Sequence, residues 1–319
     1  HFELPNFLNF QSFFGMGQAV NAMYPDIALW PFVLLTMAFS PVHQIAMIRL
    51  LIIVLMLVVS YYSLYHRSIP SDISLYSAII LILLPSNMKI TGMFAPSGAI
   101  IYIFLLPIAF TINDILASEQ FNIGLIIKFS LIIILILYSH LMTIVMLAFI
   151  MMGMLVVNAC FGRFSIYAIA NVVTGGLVSL VGILPIIYRY LLFNRNGIVM
   201  PYLLGNITTL AKFPYISKIY LLSLIIVCLL PCLYLYEVKG KVCYWRLLII
   251  EVYIFLLCSS FFPWRLLNNI PIVNCLQFSD RFQIFLCVIP VIILAKFTQK
   301  HYRIGMFVIL LLAIVWCGK

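Results

Sequence analysis

Between Leu131 and Leu137 every residue is isoleucine or leucine. That segment belongs to a series of apolar runs, at 26–40, 43–65, 72–84, 97–112, 123–139, 141–159, 165–190, 218–236, 244–262, 281–296 and 302–317. A run that is apolar on every side offers no face to water. In hydrocarbon its backbone must satisfy its own hydrogen bonds, which leaves helices or closed barrels. Barrel strands alternate apolar and polar residues, and these runs do not. The fold expected is therefore all-α: a polytopic transmembrane protein with about ten membrane-embedded helices of roughly 20 residues each. Runs well short of that length need tilt, local thinning or a re-entrant path. The best re-entrant candidate is 72–84, followed by 86–96.

Composition then separates partner classes. Charged residues make up 8% of the chain and apolar ones 66%, whereas about a quarter of a soluble domain is charged. The net charge of +10 reads as short basic loops facing anionic headgroups, so membrane lipid is an expected partner and nucleic acid is not. The eight cysteines form no CxxC pair and lie mostly inside apolar runs, which fits small apolar packing residues. No metal-ligand cluster is expected. No linker or polar tail divides residues 1–319, so one transmembrane domain is expected. The chain opens at His1 without an initiator Met, and an upstream helix is expected before it. Arg49, Arg163, Lys239, Lys241, Arg246, Lys296, Lys300 and Arg303 suit one, cytoplasmic, side. Residues 1–25, 190–217 and 263–280 then fall on the other.

Few polar residues remain to carry chemistry, and two connecting stretches concentrate them: Phe262–Arg265 and Gln277–Phe282. A guanidinium is a rigid fork of donors that suits phosphate. Arg265 and Arg281 are thus candidate phosphate ligands, with Trp264, Gln277 and Phe278 shaping the pocket; the same residues also fit an interfacial anchor belt. Asp280 beside Arg281 and His140 in the Ser139–His140 interruption are candidate proton-transfer groups. His140 equally fits a simple turn. Asp26, after Tyr24–Pro25, fits either a catalytic base or metal ligand, or the cap of the helix that starts there. Glu251 lies inside the run 244–262, where an ionisable group marks either a proton or ion pathway or an interhelix hydrogen bond. Asn171 with Gly175–Gly176 reads as close helix packing.

In order along the chain stand Gly15-Met-Gly17, Asn21, Tyr24-Pro25, Leu84-Pro85, Ser97-Gly98-Ala99, Pro107, Ser139-His140-Leu141-Met142-Thr143, Phe262-Pro263-Trp264, Gln277-Phe278 and Arg281-Phe282. The series resembles bacterial polytopic membrane proteins of the YfhO and pyruvoyl-tetrahydropterin-synthase-related type, which look like members of the GT-C glycosyltransferase fold. The resemblance implies a multi-pass protein of the bacterial cytoplasmic membrane. Its implied activity is transfer of sugar from a polyprenyl-phosphate-linked donor to a cell-envelope glycan, on the outer face and with possible help from a divalent metal. On that pattern Arg265 and Arg281 hold the phosphate, His140, Asp280 or Asp26 assists proton transfer, and Tyr24 joins the substrate-binding residues. A further carboxylate in the first outer loop would precede His1. The competing expectation is a non-enzymatic carrier or flippase of a lipid-linked saccharide or small solute.

Overall fold

Among the described residues the unbroken apolar runs form helix, because a continuous backbone ladder is how a chain hides its peptide groups from lipid. The computed structural model describes residues 27–83, 96–195, 242–259, 261–267 and 279–317, and among these no strand occurs. A 3-10 turn, Ile27–Leu29, leads into α1 (Trp30–Thr36). There follow α2 (Pro41–Tyr65), α3 (Ser71–Leu83), α4 (Pro96–Ile103), α5 (Leu105–Leu116), α6 (Ile123–Ser139), α7 (Leu141–Cys160) and α8 (Ile166–Arg195). Beyond them come α9 (Val242–Cys258), α10 (Trp264–Leu267), a 3-10 turn Ser279–Ile284, α11 (Val288–Lys300) and α12 (Tyr302–Cys317).

Among the described residues four stretches are long and apolar enough to cross a membrane: Pro41–Tyr65, Met142–Cys160, Ile166–Tyr188 and Phe282–Lys300. The expected count of about ten is corrected accordingly. Ile27–Thr36, Ser71–Leu83, Leu105–Leu116 and Ile123–Ser139 are apolar but shorter. At 1.5 Å per residue, α3 rises about 20 Å against a hydrocarbon core of about 30 Å. Its buried Ile73, Ser77, Ile80 and Leu81 place it inside the bundle; residues 84–95, the other arm of the expected hairpin, lie outside the described residues. The run 97–112 is also corrected, to two helices broken at Phe104. Pro107 has no N–H to return to the carbonyl of Ile103, so the ladder lapses there.

Burial sorts the long helices into core and rim. α7 and α11 pack inside, whereas α2 and α8 turn apolar side chains outward, with Val181 73% exposed and Leu177, Leu184 and Val58 also open. A soluble protein would not tolerate that apolar surface; against acyl chains it is matched. α8 lies on α6 through small residues: a Cβ on Gly175 would stand 2.7 Å from the Phe129 ring, and Ser130 Oγ donates to Gly175 O at 2.8 Å. Fully buried Asn171 fastens the loop before α6, its Nδ2 donating to Ser118 Oγ at 2.5 Å and Gln120 O at 3.0 Å, its Oδ1 accepting from Asn122 N at 3.1 Å.

The hydrogen bonds also sort the two ends of the bundle. Arg67 follows α2 and reaches Asp114 at the end of α5, Gln299 near the end of α11 donates to Ser68 O, and Arg246 near the start of α9 donates to Asn113. Arg246, Lys296 and Lys300 thus gather at one end, as the charge pattern predicts, and Arg67, which that pattern left out, lies with them. Arg49 does not join them: it lies 16 residues, about 24 Å, along α2 from Tyr65.

Candidate functional site

A cavity of about 350 Å³ runs between α5, α7, α9 and α11. Its walls are apolar: Ile150 and Met154 of α7, Ile250 and Ile254 of α9, Val288 and Ile292 of α11. From Arg246 to Ile254 is eight helical residues, about 12 Å. At one end the lining changes character, and Arg67, Asn113, Arg246 and Lys296 line it. The volume falls at the small end of ordinary ligand cavities, and a few polar groups on an apolar wall are the usual lining of such sites.

Arg246 is the group that needs explaining. It projects from the second turn of α9 and is only 5% exposed. Its Nη2 donates to Asn113 Oδ1 at 3.1 Å, while Nε and Nη1 find no acceptor among the described residues. A permanently charged fork of five donors is therefore held out of water with most of its capacity unused. Insertion scales put such a residue at about 2.5–3.5 kcal/mol at mid-membrane, and less towards the interface.

The neighbouring cations differ in their surroundings. Arg67 Nη1 donates to Asp114 Oδ1 at 3.0 Å, a second Arg67–Asp114 contact makes the pair bidentate, and the guanidinium lies 4.7 Å over the Phe110 ring. Asp114 thus offsets the charge of Arg67. Among the described residues no carboxylate pairs with Arg246 or Lys296, so this end of the cavity is electropositive above an apolar shaft. That combination fits an anionic headgroup carrying a hydrocarbon chain.

Of the sequence-predicted residues, Trp264 and His140 lie towards the opposite end. Trp264 is 1% exposed and packs with Phe149 at 5.4 Å, Phe262 at 4.5 Å and Phe282 at 5.7 Å between ring centroids. The two polar connections singled out in the sequence therefore meet through Trp264 and Phe282. Phe285, one turn beyond Phe282, lines the cavity, so this aromatic cluster closes the shaft away from the cations. His140 joins α6 to α7, with Nδ1 2.8 Å from Thr143 Oγ1 and its backbone N–H donating to Ile136 O at 2.7 Å. It does not line the cavity. Arg265 lies on α10, and Asp280 and Arg281 on the 3-10 turn; their side chains fall outside the described set. Tyr24, Asp26, Gln277 and Phe278 lie outside the described residues. No three His, Cys, Asp or Glu side chains come together among the described residues.

Sequence reasoning grouped Arg246 with the basic turn at 239–241. The structure corrects this, since Arg246 is inside the helix and buried. The signal that could have found it is the one that found Glu251: an ionisable residue inside an apolar helix. Glu251 is 2% exposed, and neither carboxyl oxygen has a partner among the described residues. It stands five residues, or about 140° around the helix, from Arg246, and is absent from the cavity wall. Glu251→Leu is expected to stabilise the protein by about 1–3 kcal/mol, the burial penalty of an unpaired polar group. Thermal unfolding in detergent checks this, and a destabilised variant would mean that the carboxyl is bonded after all.

No protein-family model and no curated protein matches this chain.

Proposed function

We propose that this chain is an integral membrane protein that binds a lipid-linked anion, its phosphate at Arg246 and Lys296 and its hydrocarbon in the shaft between α7, α9 and α11. The observation that carries this reading is Arg246, 5% exposed, with two buried guanidinium nitrogens unbonded among the described residues. Phosphate oxygens complete such a fork, and charge-assisted bonds of that kind are among the stronger ones.

The concrete ligand in this reading is a polyprenyl-phosphate-linked sugar in the bacterial cytoplasmic membrane, the substrate class implied by the GT-C-like series of motifs. Two activities use such a ligand, and one observation favours the carrier. Among the described residues, the ionisable ones on the cavity wall are Arg67, Arg246 and Lys296. All are cations, and none is a base suited to deprotonating an acceptor hydroxyl. Moving a lipid-linked saccharide across the bilayer asks only for a headgroup site and a chain path. Glycosyl transfer is the second reading. It takes its base from His140, Asp280 or Asp26, at the far end of the bundle or outside the described residues, with Arg265 and Arg281 on the leaving phosphate.

Purified protein in detergent should retain hexadecyl phosphate at least about tenfold better than hexadecanol, a difference of about 1.4 kcal/mol, measured by equilibrium dialysis. Equal retention of the two overturns the reading. In vesicles reconstituted with an acceptor glycan, a labelled polyprenyl-phosphate sugar then separates the activities: the carrier moves it intact between leaflets, and the transferase passes the sugar to an acceptor hydroxyl and releases polyprenyl phosphate.

A further inference from the structure

We infer that the bound hydrocarbon does not end in the cationic cavity but turns past Ile112 and Leu147 into a second, wholly apolar cavity that opens on the bilayer. The site would then select long-chain anions and admit their tails from the side of the membrane. This rests on the anion-binding reading above.

The second cavity, about 340 Å³, lies between α5, α6, α7 and α8. Among the described residues its lining holds no charged or polar side chain; Phe129, Ile133 and Ile136 of α6 face Met151 and Leu155 of α7, with Val172 and Gly176 of α8 also on the wall. Ile112 and Leu147 line both cavities. Both are buried aliphatic side chains that divide a cavity with cations at one end from one lined by apolar residues, and the inferred path needs them to swing aside by a change of rotamer. A dry apolar hollow suits hydrocarbon and offers water no partners. Met152, which also lines it, is 55% exposed, and on the neighbouring helix Val173 and Leu177 point outward. The way out therefore leads to acyl chains. The first cavity runs only about 12 Å from Arg246 to Ile254, less than half the hydrocarbon core of about 30 Å. A long chain needs somewhere further to go.

Gly176 supplies the test. A Cβ built there meets no heavy atom within 4 Å, unlike the tightly packed Gly175, so a side chain at 176 grows into the hollow without displacing a helix. Gly176→Phe should lower retention of hexadecyl phosphate at least about tenfold, since several methylenes lose their burial. It should leave octyl phosphate, which ends within the first cavity, unchanged. Gly176→Ala should change neither. The octyl ligand reports an intact fold, and comparing variant with wild type for each ligand in one detergent cancels that ligand's partition into micelles. Unchanged hexadecyl binding in Gly176→Phe, or an equal loss of both ligands, overturns the two-cavity path while the anion site stands. Wild-type protein that retains neither phosphate better than its alcohol overturns the anion reading, and this inference with it.

Discussion

Arg246→Gln is expected to weaken retention of hexadecyl phosphate by about thirty- to a hundredfold and to leave the empty protein at least as stable as the wild type. Hydrogen bonds to charged groups contribute about 1.5–3 kcal/mol each, and about 2–3 kcal/mol corresponds to that loss of affinity. The stability term has the opposite sign. Without ligand, Arg246 holds Nε and Nη1 out of water with no acceptor among the described residues, and glutamine removes that charge. A binding residue whose removal relaxes the empty protein differs from a structural one, whose removal loosens it. Arg246→Lys should fall between the two, because it keeps the charge but loses the fork that spans Asn113 and a phosphate. Asn113 is a positioning residue: its Oδ1 fixes one arm of the guanidinium at 3.1 Å, and Asn113→Ala should weaken binding while leaving its salt dependence in place. Dialysis with radiolabelled ligand, paired with thermal unfolding, reads both quantities. Wild-type affinity in a folded Arg246→Gln protein would remove the central claim.

The helices were legible because their signal is local. Runs at 123–139 and 302–317 coincide with Ile123–Ser139 and Tyr302–Cys317, since an apolar segment in lipid has few backbone alternatives. The break at Phe104 was readable in outline from Pro107. The turn Ser279–Ile284, where a helix was expected to begin, was not. The site was legible only where segments announce themselves: the aromatic connections at 262–265 and 277–282 do meet, through Trp264 and Phe282. Arg246 was misread because its meaning is non-local. Its hydrogen-bond partner is 133 residues away, and the cavity joins it to Arg67 and Lys296 from two other parts of the chain. Periodicity and spacing record none of those distances. A charge near a helix end looks the same in sequence whether it faces headgroups or a hollow.

Gly305→Ala is expected to destabilise the protein by about 1–3 kcal/mol, the usual range for overpacking, although alanine is otherwise the better helix former. A Cβ at Gly305 on α12 would stand 2.6 Å from Thr298 Cα on α11. Thr298 is fully buried and its Oγ1 donates to Leu294 O at 2.8 Å, so neither its side chain nor its backbone can give way alone, and the two helices must separate. Gly176→Ala forms the control: with open space around it, the same change should stabilise by about 0.5–1 kcal/mol. The consequence reaches the cavity, because α11 carries Lys296 as well as Val288 and Ile292 on its wall. Shifting that helix moves Lys296 relative to Arg246, which sits on α9. Phosphate retention should therefore fall together with the thermal midpoint in Gly305→Ala, while Gly176→Ala keeps it. If Gly305→Ala unfolds at the wild-type temperature, α11 and α12 do not approach as closely as Thr298 and Gly305 require, and the placement of Lys296 beside Arg246 loses its support.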